Sequence, residues 1–182
     1  MPRVPPDRFL TRGCLEVFTG DGRGKTSASL GIALRAAGHG LRVYIVFFMK
    51  GAFPYGEQKI LATLPNITFA RFGFEEFVDP NNVKPEEKEE ARKALDAARN
   101  AMLSLNYDVV ILDEVNVAAS WKLIDIEEVL KLIDQRPENL ELILTGRNAD
   151  PRVIEKADVV TIMVKVKHPY DRGVLARKGI DY

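Results

Sequence analysis

The chain has 182 residues, 46% hydrophobic and 29% charged, a composition that excludes an extended disordered or fibrous protein and favours one folded domain. Its 26 basic and 26 acidic residues balance, which argues against nucleic acid or an anionic membrane as the partner. The single cysteine, Cys14, cannot form an intramolecular disulfide, and no secretory h-region is recognisable, so we expect a reducing, cytoplasmic compartment. The longest apolar stretch, 43–49, is too short to span a bilayer.

Residues 1–11 contain three prolines and no periodic pattern, which predicts an N-terminal arm ahead of a single domain at 12–182. From there, apolar runs of strand length alternate with helical patterns. The expected strands are 14–18, 41–48, 67–72, 109–112, 140–144 and 159–164. The expected helices are 25–37, 57–64, 85–105, 126–132 and 151–157. This alternation predicts an α/β fold in which a mostly parallel sheet of about six strands carries helices on both faces.

A glycine-rich segment, Thr19-Gly-Asp-Gly-Arg-Gly-Lys-Thr26, joins the first predicted strand to the first predicted helix. Alternating glycines let the backbone turn sharply, so that its N–H groups converge on an anion at the helix N-terminus. Lys25 supplies a cation for phosphate oxygens, and the Thr26 hydroxyl is placed to ligate Mg²⁺. The standard spacing requires a glycine at position 19, so a glycine-rich turn with an incidental lysine is the alternative. The predicted phosphate-binding residues are Gly20, Asp21, Gly22, Arg23, Gly24, Lys25, Thr26 and Ser27.

Two acidic residues, Asp113 and Glu114, come directly after the apolar strand predicted at 109–112. Charges in that position face the carboxyl edge of a parallel sheet, where ligands of open α/β folds bind. Either carboxylate can hold Mg²⁺ directly or through water, and the alternative is a strand that simply ends in charged residues. Together with the phosphate loop, they predict a site for a nucleoside triphosphate and magnesium. They do not choose among kinases, ATPases and other transferases.

Further short segments follow one another in a defined order: 12–13, 17–26, Arg35-Ala-Ala-Gly-His39-Gly40, 46–51, 55–57, 112–115, 144–147, 166–173 and 176–182. In these segments, and in its shortened phosphate loop, the chain resembles the P-loop corrinoid adenosyltransferases, which act on cob(I)yrinic acid a,c-diamide or cob(I)alamin. The resemblance covers all but the first eleven residues and the stretch near 71–105. It implies a three-layer, RecA-like P-loop NTPase fold. It also implies that Co(I) of a reduced corrinoid attacks the 5′ carbon of ATP and displaces triphosphate.

Two basic residues are expected to act in catalysis, Lys25 as the resemblance implies and Arg147 because of its position. Lys25 neutralises the leaving triphosphate. Arg147 follows Thr145-Gly146 at a predicted strand end and contacts phosphate, with a surface ion pair as the alternative.

Other residues receive binding roles from the same resemblance. Thr26 with Glu114, or with Asp113 in its place, holds Mg²⁺. Arg35 is expected near the nucleotide, although its position alone fits a surface helix residue equally well.

An aromatic contact with the corrinoid is also implied, at Phe74. The family places a second aromatic residue two positions further on, where this chain has Glu76. Phe72 or Phe77 takes its place, or the segment is an exposed aromatic loop. Trp121 is expected to pack in the core or to anchor an interface.

The implied substrates are ATP and the corrinoid, with Mg²⁺ as cofactor. The implied partners are a second copy of the chain, in a homodimer, and an electron donor such as a flavoprotein that reduces cobalt. Two other functions compatible with the motifs are a P-loop kinase or ATPase that acts at the γ-phosphate, and a non-catalytic, nucleotide-dependent corrinoid carrier.

Overall fold

The structure is a computed structural model that describes residues 10–182, so the predicted arm lies outside the described residues except for positions 10 and 11. The strands are β1 (Leu15–Thr19), β2 (Val43–Phe47), β3 (Ile67–Arg71), β4 (Val109–Asp113), β5 (Glu141–Thr145) and β6 (Val159–Ile162). The helices are α1 (Lys25–Gly38), α2 (Gly56–Leu61), α3 (Pro85–Leu103), α4 (Val115–Ser120), α5 (Ile126–Asp134) and α6 (Pro151–Lys156). A 3₁₀ turn follows at Pro169–Arg172.

The strands form one sheet in the order β3-β2-β4-β5-β1-β6, and every pairing between the described strands is parallel. The predicted α/β fold with a six-stranded parallel sheet is confirmed. Since all six strands point the same way, their carboxyl ends meet at a single edge of the sheet. The register places Phe47 of β2 opposite Asp113 of β4, and Phe18 of β1 opposite Thr145 of β5.

The core has two layers, one on each face of the sheet, because successive strand residues point to opposite sides. On one face, Val110 and Leu112 of β4 cluster with apolar residues of α3 and α5. On the other, Ile111 of the same strand clusters with Ala33 and Ala36 of α1. This arrangement of helix, sheet and helix is the three-layer architecture expected from the sequence. None of the helices within residues 10–182 is long and apolar enough to cross a bilayer.

The short helix α4 was not predicted from the sequence. It has only six residues, too few for a helical period to be recognised in the apolar run that continues from β4. Glu114, the residue between β4 and α4, has a φ of 68°. This left-handed conformation turns the chain from strand to helix without a glycine.

Candidate active site

A cavity of about 950 Å³ opens at the carboxyl edge of the sheet, beside the loop between β1 and α1. Its walls come from that loop, from the segments that follow β2, β3, β4 and β5, and from the last residues of the chain. Among the lining residues are Asp21, Gly22, Arg23, Gly24, Lys25, Thr26, Ser27, Lys50, Tyr55, Phe77, Glu114, Trp121, Arg147 and Tyr182. The structure therefore brings the predicted phosphate loop, Glu114 and Arg147 to one cavity.

The loop between β1 and α1 depends on glycine at specific places. Gly20 and Gly24 have φ angles of 92° and 111°, a region that side-chain-bearing residues rarely adopt. A Cβ on Gly22 would lie 2.8 Å from the carbonyl carbon and oxygen of Met163, because the loop packs against the backbone beyond β6. The Gly22 N–H donates a hydrogen bond of 2.7 Å to that carbonyl. The loop is thus held on its outer side, and α1 begins directly after it.

Lys25 is the first residue of α1, directly after this loop, and is buried. Its Nζ donates hydrogen bonds of 2.7 Å and 2.8 Å to the carbonyl oxygens of Gly20 and Gly22. Burial lowers the pKa of the Lys25 ammonium, and the positive charge of Arg147 acts in the same direction, while Glu114 opposes the change. The loop carbonyls keep the ammonium at the floor of the cavity, where an anion bound to the loop would meet it.

The carboxylate of Asp113 is completely buried and makes three side-chain hydrogen bonds. The hydroxyls of Thr26 and Thr145 donate to its Oδ1 over 2.9 Å and 2.8 Å. The Nζ of Lys50 lies 2.6 Å from its Oδ2. Asp113 therefore ties the first turn of α1, the end of β5 and the segment after β2 to the end of β4.

Lys50 is a site residue that the sequence reasoning missed. Its side chain is 11% exposed, and its Nζ lies 5.0 Å from the ring centroid of Tyr55. Burial acts to lower the pKa of the Lys50 ammonium, but the negative charges of Asp113 and Glu114 outweigh it and raise the pKa above its ordinary value. One signal in the sequence could have indicated Lys50 as a site residue. It is a charged residue shortly after the apolar run of β2, just as Asp113 comes directly after the apolar run of β4.

Glu114 lines the cavity, whereas Asp113 does not. Burial raises the pKa of the Glu114 carboxyl, and the neighbouring negative charge of Asp113 raises it further. This carboxylate would be stabilised in its charged form by a cation in the cavity. Of the two acidic residues predicted as metal ligands, Glu114 is the one directly accessible from the cavity.

The residues around Thr26 fit a magnesium ion. The Thr26 hydroxyl and the carboxylates of Asp113 and Glu114 are oxygen donors beside the phosphate loop, and the Lys50 ammonium already lies among them as a cation. Between residues 10 and 182, no group of three His, Cys, Asp or Glu side chains converges to hold a metal. That is compatible with Mg²⁺, which proteins usually bind through one or two carboxylates together with substrate phosphates.

Three of the predicted binding residues do not line the cavity, namely Gly20, Arg35 and Phe74. Gly20 lies behind it, where its carbonyl accepts the hydrogen bond from Lys25. Arg35 is exposed in the last turn of α1, ten positions after Lys25 and therefore roughly 15 Å along the helix axis. Phe74 is 47% exposed and lines a neighbouring groove with Glu75 and Lys84. Phe77, by contrast, lines the cavity and is 83% exposed. Their roles in binding stay predictions.

The C-terminal segment 179–182 forms part of the cavity wall, which the sequence reasoning did not anticipate. Arg23 of the phosphate loop donates a hydrogen bond of 2.9 Å to the carbonyl of Ile180 and lies 2.8 Å from the carboxylate of Asp181. The ring of Tyr182 packs edge-on against Phe53 with centroids 5.1 Å apart. The sequence of a polar tail does not indicate which surface the tail packs against. The contact of residues 179–182 with the phosphate loop is therefore visible only in the tertiary structure.

Comparisons with known proteins agree with this geometry. Residues 11–182 match the family described as ATP:corrinoid adenosyltransferase BtuR/CobO/CobP. The chain is 36% identical over 171 residues to the corrinoid adenosyltransferase of Escherichia coli K12, covering 94% of this chain and 86% of that protein. It is 34% identical to the corrinoid adenosyltransferase of Pseudomonas aeruginosa, covering 94% of this chain and 84% of that protein. It is 33% identical to the corrinoid adenosyltransferase CobA of Salmonella typhimurium, covering 94% of this chain and 86% of that protein.

Solved structures show the same fold at lower sequence identity. The KaiC-like protein PH0186 from Pyrococcus horikoshii superposes with a TM-score of 0.55 and 17% identity, covering 90% of this chain and 80% of that one. The cytoplasmic domain of EssC gives a TM-score of 0.52 and 19% identity, and the match covers 95% of this chain but only 35% of that one. These two likenesses concern the fold alone.

Proposed function

Since the chain belongs to the ATP:corrinoid adenosyltransferase family, we propose that it transfers the 5′-deoxyadenosyl group of ATP to Co(I) of a reduced corrinoid in cobalamin biosynthesis. The match of residues 11–182 to this family is the observation that carries the proposal. In the reaction, a cobalt–carbon bond forms with the electron pair of Co(I), and the bond between C5′ and its phosphate oxygen breaks. That oxygen keeps the bonding pair, and triphosphate leaves.

The leaving group is a polyanion, so the work of the protein is to stabilise its charge and to position the 5′ carbon. Lys25 lies at the floor of the phosphate loop, and Arg147 lines the same cavity from the end of β5. We assign both to the triphosphate, together with the backbone N–H groups of residues 20–27 other than that of Gly22, which donates to the Met163 carbonyl. Co(I) is itself a strong nucleophile, so no general base is required of the protein.

We assign the magnesium position to Thr26 and Glu114. Asp113 orients Thr26 through the hydrogen bond that its carboxylate accepts from the hydroxyl. Mg²⁺ bound there would supply positive charge to the phosphate oxygens. Glu114 supports this assignment because it is partly buried, lines the cavity and feels the positive charges of Lys25 and Arg147.

We assign the corrinoid to the aromatic side of the cavity. Phe53 packs against three cavity-lining rings, those of Tyr55, Phe77 and Tyr182, with centroid distances of 4.9 Å, 6.2 Å and 5.1 Å. Flat apolar surfaces of this kind suit contact with a large planar ring. Phe77 is the most exposed member of the group, and we favour it over Phe74 as the corrinoid contact.

Other features of the family are extended to this chain as proposals. We propose a single domain at 12–182 that works as a homodimer in the cytoplasm, with an electron donor such as a flavoprotein that reduces the cobalt of the corrinoid. Support for the dimer comes from the sheet edge, where β6 leaves Val159, Val160 and Ile162 exposed. Unprotected apolar edge strands commonly mark surfaces for association.

The product of the reaction tests the proposed function. Anaerobic incubation with ATP, Mg²⁺ and chemically reduced cobalamin is expected to produce triphosphate and the absorption spectrum of a light-sensitive alkylcobalt bond. ADP and phosphate without adenosylated corrinoid would show a kinase or ATPase instead. Binding of ATP and corrinoid with no turnover would show a carrier.

A further inference from the structure

The ammonium of Lys50 lies between the Thr26 hydroxyl, which is assigned to the metal position, and the Asp113 carboxylate that orients this hydroxyl. Its Nζ is 2.6 Å from Asp113 Oδ2 and donates a hydrogen bond of 3.4 Å to the Thr26 hydroxyl. Thr26 in turn donates to the other oxygen of Asp113 over 2.9 Å. The three groups form a closed set in which one positive charge is shared by a carboxylate and a hydroxyl.

The surroundings of Lys50 keep its ammonium in this position. The side chain is largely buried, and its Nζ also lies 5.7 Å from the ring centroid of Phe47 and 5.0 Å from that of Tyr55. Aromatic faces of this kind attract a cation and leave it little room to move. Asp113 is completely buried, so without Lys50 its charge would have no neighbouring cation among its hydrogen-bond partners.

A divalent cation bound to the Thr26 hydroxyl would lie about 2.0–2.1 Å from its oxygen if it were magnesium. The Lys50 ammonium already approaches the same oxygen and carries a charge of the same sign. The divalent cation and the ammonium would then both contact one hydroxyl oxygen, and two cations that close repel strongly in a partly buried site. The triphosphate of the nucleotide supplies the negative charge that allows both to remain.

We propose that the Lys50 ammonium is an internal cation of the magnesium position. It keeps a divalent ion out of the site until that ion arrives together with the triphosphate. This inference rests on the proposed nucleotide site and deepens it, because it assigns Lys50 a role in the order of binding. Metal and nucleotide then enter as one complex. The ammonium serves as a counter-ion to Asp113 before they bind and as a further cation beside the phosphates afterwards.

Direct binding of Mn²⁺ to the protein without nucleotide tests the proposal, measured by the loss of the electron paramagnetic resonance signal of free Mn²⁺. Lys50→Gln removes the charge but retains a donor for Asp113, and Lys50→Met removes both. We expect either variant to bind Mn²⁺ at least about tenfold more tightly than the wild type, because a competing charge is gone. Lys59→Gln, on the exposed face of α2, removes one charge elsewhere and is expected to leave Mn²⁺ binding unchanged.

Equal Mn²⁺ affinity in the wild type and in folded Lys50→Gln would overturn the proposal. An equal gain in Lys59→Gln would also overturn it, because the effect would then be one of net charge. If Lys50→Met does not fold, Lys50→Gln decides the question. The measurement involves neither ATP nor corrinoid, so a failure of the adenosyltransfer assay would leave its result intact.

Discussion

The hydroxyl of Thr26 donates a hydrogen bond of 2.9 Å to the carboxylate of Asp113, which lies 87 positions further along the chain. This bond joins the first turn of α1, where the phosphate loop ends, to the last residue of β4. Because Asp113 is completely buried and also bonded to Lys50 and Thr145, it holds the Thr26 hydroxyl in one orientation. The geometry of the cavity therefore depends on a carboxylate that does not itself line it.

We expect Asp113→Ala to lower the free energy of unfolding by about 3 kcal/mol, because it leaves the buried Lys50 ammonium without its carboxylate. Urea denaturation measures the change. Asp134→Ala is the matched control, since Asp134 pairs with Lys156 at the surface, and it should cost less than about 1 kcal/mol. The double variant Lys50→Met with Asp113→Ala should lose less than the sum of the two single variants. Similar costs for Asp113→Ala and Asp134→Ala would contradict this account of the pair.

Lys25→Ala is expected to fold and to lose at least about 100-fold in the rate of adenosyltransfer, since the leaving triphosphate then lacks a fixed cation. Steady-state kinetics gives the rate, and circular dichroism checks the fold. Lys59→Ala, which removes an exposed lysine outside the cavity, should keep the wild-type rate. Turnover at the wild-type rate in Lys25→Ala would mean that this lysine has no part in the reaction.

Phe77→Ala is expected to raise the KM for the corrinoid about tenfold, because the ring presented to the cavity is lost. Phe74→Ala is its matched control, since the ring lies on a neighbouring groove, and it should change that KM less than about twofold. The KM for ATP should stay the same in both variants. The reverse pattern would favour Phe74, the residue that the sequence resemblance indicates, as the corrinoid contact.

We expect Glu141 to make the free energy of unfolding depend on pH. Its carboxylate accepts a hydrogen bond of 2.7 Å from the Cys14 N–H. Burial raises the pKa of this carboxyl above its ordinary 4.5, and repulsion from Glu16 adds to the change, against the opposing effect of the Cys14 hydrogen bond. A raised pKa means that the folded state binds the proton more tightly than the unfolded state. The contribution of Glu141 to stability is therefore complete below pH 4.5 and is lost as the pH rises through the folded-state pKa.

Glu141→Gln stays neutral at every pH, and its side-chain oxygen can still accept from Cys14. The variant should therefore be more stable than the wild type near neutral pH and should show a smaller advantage below pH 4.5. Urea unfolding of both proteins at the two pH values measures the difference. An advantage that stays constant with pH would show that the carboxyl does not titrate differently in the folded state.

Local features of the sequence were sufficient for the fold class and for much of the cavity. Strand-length apolar runs and a strand–glycine loop–helix order are short-range signals, and they correctly predicted the parallel sheet and the position of the phosphate loop. Glu114 and Arg147 were found because residues that directly follow parallel strands collect at one edge of the sheet. Each of these inferences needs only neighbouring residues and the period of a strand or helix.

Contacts between distant segments could not be predicted in the same way. Three such contacts depend on strand order and on where loops fold back. Lys50 lies against Asp113, residues 179–182 close one side of the cavity, and Phe77 rather than Phe74 lines it. Distances between such groups are set by packing across the whole sheet, and a one-residue change in a loop turns a side chain to another surface. The sequence by itself determined the chemistry available at the sheet edge, and only the tertiary structure decided which side chains meet there, because their contacts are non-local.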